Sequence, residues 1–420
     1  MKAWSQTRLR YVADLNPAVR ADLLAAQDMA VSFLPMEAIG EDGSLDLERT
    51  RPVTDVRNGY SYFEDGDVAF AKVTPCFENG KGALMRGLVH GAGFGTTEIT
   101  VLRPKSGTNS RYLRYIVQSE RFRQLGVGAM TGAGGLKRVP DEFTRDFPIA
   151  WPKSAEQESI ANFLDEQTAR IDALIAEKAA LVERLGEYRQ SSVTTAVTTG
   201  LPGEHRELDA HPFLGVIPSC WSAGKFRHYV QFKSGQVDPE LEKYSQLMLI
   251  APNHVESGTG RLLTLESASQ QAAESGKYWC DAGDVIYSKI RPGLRKATIA
   301  PHDCLCSADM YPLKGVGGLT NKYLFWYLLS EPFSDFAIQE STRVAMPKLN
   351  RETLADAVVP LPTREEQARI VAFIHAKVAA VDSVIEHASM HIDRLREYRS
   401  SLISAAVTGQ IDINSYKAAA

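Results

Sequence analysis

A chain of 420 residues, 44% of them hydrophobic, is ample for two buried cores and long helices besides. Its formal net charge of -4 argues against a uniformly basic nucleic-acid binder, so any affinity for DNA has to come from local patches or from a more basic partner. No apolar run approaches the roughly 18 residues that cross a bilayer, Met1 to Pro35 lacks the apolar core of a signal peptide, and the five cysteines show no paired metal spacing; buried thiols in a reducing cytoplasm are the expectation.

In chain order, Asp67 to Val73 reads as a strand that runs into a turn at Pro75, and Glu98 to Leu102 as another. A helix is expected over Ser110 to Gln124. Gly132-Ala133-Gly134-Gly135 reads as a flexible loop, since neither a lysine-serine pair nor a strand frames it as a phosphate cradle. Pro152 then precedes a capping box, Ser154-x-x-Gln157, that opens a long helix. Leu201-Pro202-Gly203-Glu204-His205 ends that helix and links to a second run of the same signals. There, strands are expected over Asp284 to Ile290, with a turn at Pro292, and over Asp309 to Leu313; a helix follows over Asn321 to Ser330. Pro362 and the capping box Thr363-x-x-Glu366 open a second long helix.

Residues Pro152 to Thr198 recur as Pro362 to Thr408 without a gap, sharing Arg184-Leu185-x-Glu187-Tyr188-Arg189 with Arg394-Leu395-x-Glu397-Tyr398-Arg399 and closing on Ala196-Val197-Thr198 and Ala406-Val407-Thr408. The globular parts repeat more faintly: Gly66-Asp67-Val68 with Lys72-x-x-Pro75 returns as Gly283-Asp284-Val285 with Lys289-x-x-Pro292. A period this long excludes a solenoid and implies two copies of one large unit. Each long helix carries an apolar seam spaced alternately four and three apart, through Ile160, Leu164, Ile171, Leu174, Leu181 and Leu185 in the first and Ile370, Ile374, Val381, Val384 and Leu395 in the second. At 1.5 Å per residue each helix reaches about 60 Å, and the two are expected to pair antiparallel as a spacer. At the end of the first, Val193-Thr194-Thr195-Ala196 is followed at once by the near-duplicate Val197-Thr198-Thr199-Gly200. The boundaries follow as residues 1–150, a helical region at 151–202, a second globular domain at 203–360 and a helical region at 361–420.

Enzymatic motifs are missing: no phosphate loop, no dinucleotide fingerprint, no amino-methyltransferase tetrapeptide and no zinc-protease helix. The residues suited to a binding surface are loop cations and amides. In the first unit these are Arg57, Asn58, Tyr60, Lys72, Lys81 and Arg86, with Lys137 and Arg138 after the glycine loop. In the second they are Lys289, Arg291, Arg295 and Lys296 around Gly293, with Arg343 and Lys348 where the first unit has its glycine loop. Arginine and lysine can donate to guanine, asparagine can pair with adenine, and any of them can hold a phosphate.

The doubled helix opening Glu-Gln-x-x-Ile-x-x-Phe, its Arg-Leu-x-Glu-Tyr-Arg close and the Gly-Asp-Val strand ending in Lys-x-x-Pro together resemble the specificity subunit of Type I restriction-modification systems, over the whole chain. The resemblance implies an α+β fold: two mixed α/β target-recognition domains separated by two long antiparallel helices as a coiled coil, with a pseudo-twofold internal repeat. Each domain is then expected to read one half of a bipartite DNA site, while the helices set the spacer and dock two methyltransferase (modification) subunits. Two restriction subunits join the nuclease form. The chain itself is expected to be non-catalytic, with S-adenosylmethionine, ATP and magnesium bound by partners. Two other classes compete: a self-contained DNA-modifying enzyme, which would need a cofactor or metal site of its own, and a coiled-coil scaffold, which would leave two divergent globular domains unexplained.

Overall fold

A computed structural model describes residues 4–26, 28–133, 135–204, 207–341 and 347–413. The chain falls into two compact units, Met1–Ala179 with Ser389–Ala420, and Ala180–Ala388. Each mixes helix and strand.

In the first unit the strand Val68–Ala71 is buried on both faces. Val68 and Phe70 join a core with the helix Ser110–Gln118, whereas Ala69 faces a second cluster with Phe63 and Val101. That two-sided burial explains a run without polar alternation. The antiparallel order is Ala13–Leu15, Ile99–Pro104, Val68–Ala71, Gly82–Leu84. A second sheet runs Thr50–Pro52, Ala30–Leu34, Ala92–Gly95, Ser61–Glu64, with its middle pair parallel.

The second unit repeats the first sheet as Val230–Phe232, Met310–Gly315, Val285–Ser288, Ala297–Ile299. Its other sheet keeps three strands in the same order, Leu249–Ile250, Cys304–Cys306 and Lys277–Cys280, again with a parallel pair. The fourth strand differs: Gln236–Val237 pairs with Lys277–Cys280, on the opposite edge from Thr50–Pro52 of the first unit. The shared scaffold therefore diverges at an edge, where extra pairing is tolerated.

The Gly-Asp-Val repeat has a physical basis in both units. Gly66 and Gly283 take φ of +95° and +86°, which a β-carbon would strain. The following aspartates are 2% exposed. Asp67 accepts from the Glu64 amide at 2.8 Å and from Arg103 at 2.7 and 2.9 Å; Asp284 accepts from the Asp281 amide at 2.8 Å and pairs with Lys233.

One helix was expected after each sheet, and two are present. Ser119 sits extended between Ser110–Gln118 and Glu120–Ala129, accepting from the Phe122 amide at 3.3 Å, so a side-chain cap starts a new helix where the apolar pattern alone suggested continuation. Ser330 holds the same place between Asn321–Leu328 and Glu331–Ser341.

The long helices span Ser154–Thr199 and Arg364–Val407. Their starts are locked alike. Gln157 donates to Pro152 C=O at 3.0 Å and accepts from the Asn109 amide at 2.9 Å; Gln367 donates to Pro362 C=O at 2.9 Å and accepts from the Thr320 amide at 2.9 Å. Within the first unit, Ile160, Leu164 and Ile171 share the core with Leu402, Ile403, Ala406 and Val407 from the end of the second helix. Within the second unit, Ile370 and Ile374 share the core with Val193, Ala196 and Val197 from the end of the first. In each unit, then, the start of one helix lies beside the end of the other, with the segments antiparallel. Of the seam residues, Val381 is buried, Leu185 and Leu395 are half-buried, and Leu174, Leu181 and Val384 are more than 40% exposed.

Candidate nucleic-acid interface

In the first unit the Lys72-x-x-Pro75 turn is clamped by a returning segment. The Lys72 amide donates to Glu98 C=O at 2.8 Å, and Lys72 C=O accepts from the Val139 amide at 2.8 Å. Thr74 and Lys137 exchange bonds of 3.0 Å. The glycine stretch expected as a loop is flanked instead by paired strands, Thr131–Ala133 and Leu136–Arg138, because its main chain finds ladder partners across the turn. Lys137 is exposed on this hairpin. Arg138 is spoken for, donating to both oxygens of Glu98 at 2.6 and 2.8 Å. Those bonds hold the Glu98 carboxyl below the usual carboxylate range.

The second unit builds the same turn with other side chains. The Lys289 amide donates to Asp309 C=O, Lys289 C=O accepts from the Leu349 amide, and Ile290 bridges to Lys348, as Val73 does to Arg138. Arg291 and Lys348 are exposed at this turn and make no ion pair among the described residues. Lys289 lies half-buried, its ammonium donating to Ala308 C=O and 5.4 Å from the Tyr311 ring centre; burial lowers its pKa. Arg295 donates to Ser334 Oγ at 2.9 Å. Lys296 reaches Pro252 C=O at 2.7 Å, and Lys81 of the first unit makes the corresponding bond to Met36 C=O at 3.3 Å.

The remaining expected residues spread along the first unit. Arg57 and Asn58 are exposed in the turn before Ser61–Glu64, and Tyr60 packs edge-on against Phe33 at 5.3 Å. Ser61 pairs with Gly95, so this turn borders the Thr96–Glu98 segment that also meets Lys72. Arg86 lies at the other end of the strand pair, past Met85, whose amide donates to Asp67 C=O; about 13 Å of strand separates the two ends. Arg343 lies outside the described residues.

Sequence reasoning passed over Arg351, half-buried with its guanidinium 5.4 Å from the Tyr278 ring and 5.3 Å from the Tyr311 ring. Its only signal was a position three residues after Lys348. It also passed over Arg189 and Arg399 as joints, although their place in the Arg-Leu-x-Glu-Tyr-Arg repeat marked them.

Two units thus carry one clamped turn, each exposing different basic side chains from the same backbone frame. Residues 249–385, which include the second of these turns, match the Type I restriction modification DNA specificity domain. That segment of the chain therefore carries a Type I restriction modification DNA specificity domain. The chain is 30% identical over 282 residues to the Type I restriction enzyme EcoDI specificity subunit of Escherichia coli, an alignment covering 63% of each chain. It is 42% identical over 160 residues to the EcoAI specificity subunit of the same organism, covering 37% of this chain and 26% of that one. The match therefore spans less than two thirds of these relatives' own length. The fold agrees with a chain solved for complex assembly and conformational transition of the type I R-M system: TM-score 0.75 at 17% identity, over 97% of this chain and 98% of that one. It agrees less closely with the HsdS subunit from Thermoanaerobacter tengcongensis: TM-score 0.53 at 17% identity, over 97% of each.

Proposed function

We propose that the chain is the sequence-specific DNA-binding subunit of a Type I restriction-modification complex, in which each globular unit reads one half of a bipartite site. The observation that carries this reading is the pair of equivalent clamped turns with unlike exposed residues, Lys137 in one and Arg291 and Lys348 in the other. A common frame fixes where a side chain meets a groove, and a changed side chain changes what it reads. The long helices set the distance between half-sites and dock two methyltransferase subunits, which bind S-adenosylmethionine; ATP and magnesium serve restriction subunits where these are present. The chain is non-catalytic and works in the cytoplasm, where its DNA is.

The test is selection from randomised sites by the complex of this chain with its methyltransferase partner. Arg291→Ala combined with Lys348→Ala relaxes one half-site by about 1 to 3 kcal/mol for each lost base contact and leaves the other half unchanged. Equal relaxation of both halves contradicts the assignment of one half-site to each unit.

A further inference from the structure

Arg399 and Arg189 end the Arg-Leu-x-Glu-Tyr-Arg block of the two helical repeats, and each makes the same joint in its own unit. In the first, Arg399 Nε donates to Asp172 Oδ1 at 2.9 Å and a terminal nitrogen donates to Asp42 C=O at 3.4 Å, with the side chain 14% exposed. In the second, Arg189 Nε donates to Asp382 Oδ1 at 2.8 Å and a terminal nitrogen to Gly258 C=O at 3.2 Å, with the side chain 8% exposed. The aspartate belongs to the other long helix, and the carbonyl to a loop of the globular domain. One planar guanidinium therefore ties three elements together, a geometry that a lysine's single ammonium does not reproduce.

The loops are built to receive it. Ile39 bridges to Leu45 around Asp42, and Val255 to Leu262 around Gly258, which takes φ of +72°. In the second unit the contact extends further, because the Gly258 amide donates at 3.2 Å to Arg295 C=O, within the turn that exposes Arg291. Asp382, Arg189, Gly258 and Arg295 form a bonded path from helix pair to reading turn. An ion pair alone would join the helices; the added carbonyl bond is what holds the domain at a set angle to them.

We propose that Arg189 and Arg399 are positioning residues that fix the angle of each reading domain on the helix pair and thereby confine the gap between half-sites to one length. This rests on the DNA-reading function proposed above. In cells expressing the chain with its methyltransferase partner, methylation-aware sequencing reads both the half-sites and the gap. Arg189→Ala keeps the bases of both half-sites, while its preference for the native gap over gaps one base pair longer or shorter falls about tenfold, the size of a typical coupling between contacting groups. Asp382→Asn removes the ion pair but leaves the bond to Gly258, so it lowers thermal stability and keeps the native gap. A gap unchanged by Arg189→Ala, or loosened equally by Asp382→Asn, overturns the proposal. Should Arg189→Ala abolish marking altogether, Arg189→Lys reads the same quantity: a loosened gap supports the proposal and a native gap overturns it. A wild-type complex that marks no bipartite site defeats the DNA-reading function instead, so the two failures are distinguishable.

Discussion

Asp67 carries a charge at 2% exposure, which is unfavourable unless its oxygens are occupied. The Glu64 amide and Arg103 occupy them, and the result pins the turn into Val68–Ala71 to the neighbouring strand. Asp67→Ala leaves the Glu64 amide without its acceptor and Arg103 with only the Glu64 carboxylate at 3.1 Å, and should cost about 2 kcal/mol, read as a lower denaturant midpoint; a loss below about 1 kcal/mol contradicts the role given to this residue. Glu98 matters in the opposite sense, because it engages the guanidinium of Arg138, which is exposed. With the Glu98 pKa depressed on folding, the pair is intact at neutral pH and above the unfolded carboxylate's value, and is lost only as pH falls through the folded value. Glu98→Gln therefore probes it better than acid does. Releasing Arg138 should tighten DNA binding and steepen the dependence of log K on log salt by about one counterion; an unchanged slope means that Arg138 faces away from the duplex.

At the scale of elements, the repeat made much of the fold readable. Thr363 caps the second long helix, accepting from the Glu366 amide at 3.3 Å, whereas at the first Ser154 already lies within the helix and the Gln157 side chain turns to Pro152 and Asn109; the Gly-Asp-Val pair marked the central strand of each unit. The fate of the cations was not readable, because Lys296 and Lys81 end on carbonyls of Pro252 and Met36, more than 40 positions away in the chain. Nor was the joint made by Arg189, whose partners come from the other long helix and from a loop of the globular domain. The tandem tetrapeptide at Val193 to Gly200 was legible as a repeat, but its setting came from the structure: Val193, Ala196 and Val197 are buried in the second unit, and Tyr323 donates to Val197 C=O at 2.8 Å. Another Val-Thr-Thr-Ala after Ala196 recreates that buried face one turn on, about 6 Å along and about 40° around the helix. One base pair moves DNA by about 3.4 Å and about 35°. The insertion should lengthen the gap by one or two base pairs with both half-sites kept, and loosen it, since Arg189 is then four residues from its loop. Mapped methylation showing the original gap would exclude this segment as the ruler.

For the whole molecule, a net charge of -4 means that DNA affinity cannot be a general property of the surface. Under the proposed function it is concentrated at the two clamped turns. The exposed sides of the helices carry mixed charges, Glu177, Glu183 and Arg184 on one and Glu386, Asp393 and Arg396 on the other. The central claim is that one chain joins two independent readers across a fixed gap. Methylation-aware sequencing of DNA from cells with and without this chain, both supplied with the methyltransferase partner, tests it most directly. The account predicts one asymmetric motif of two short specified halves around a gap of constant length, present only with the chain; a single unbroken motif, or the same marks without the chain, would contradict it.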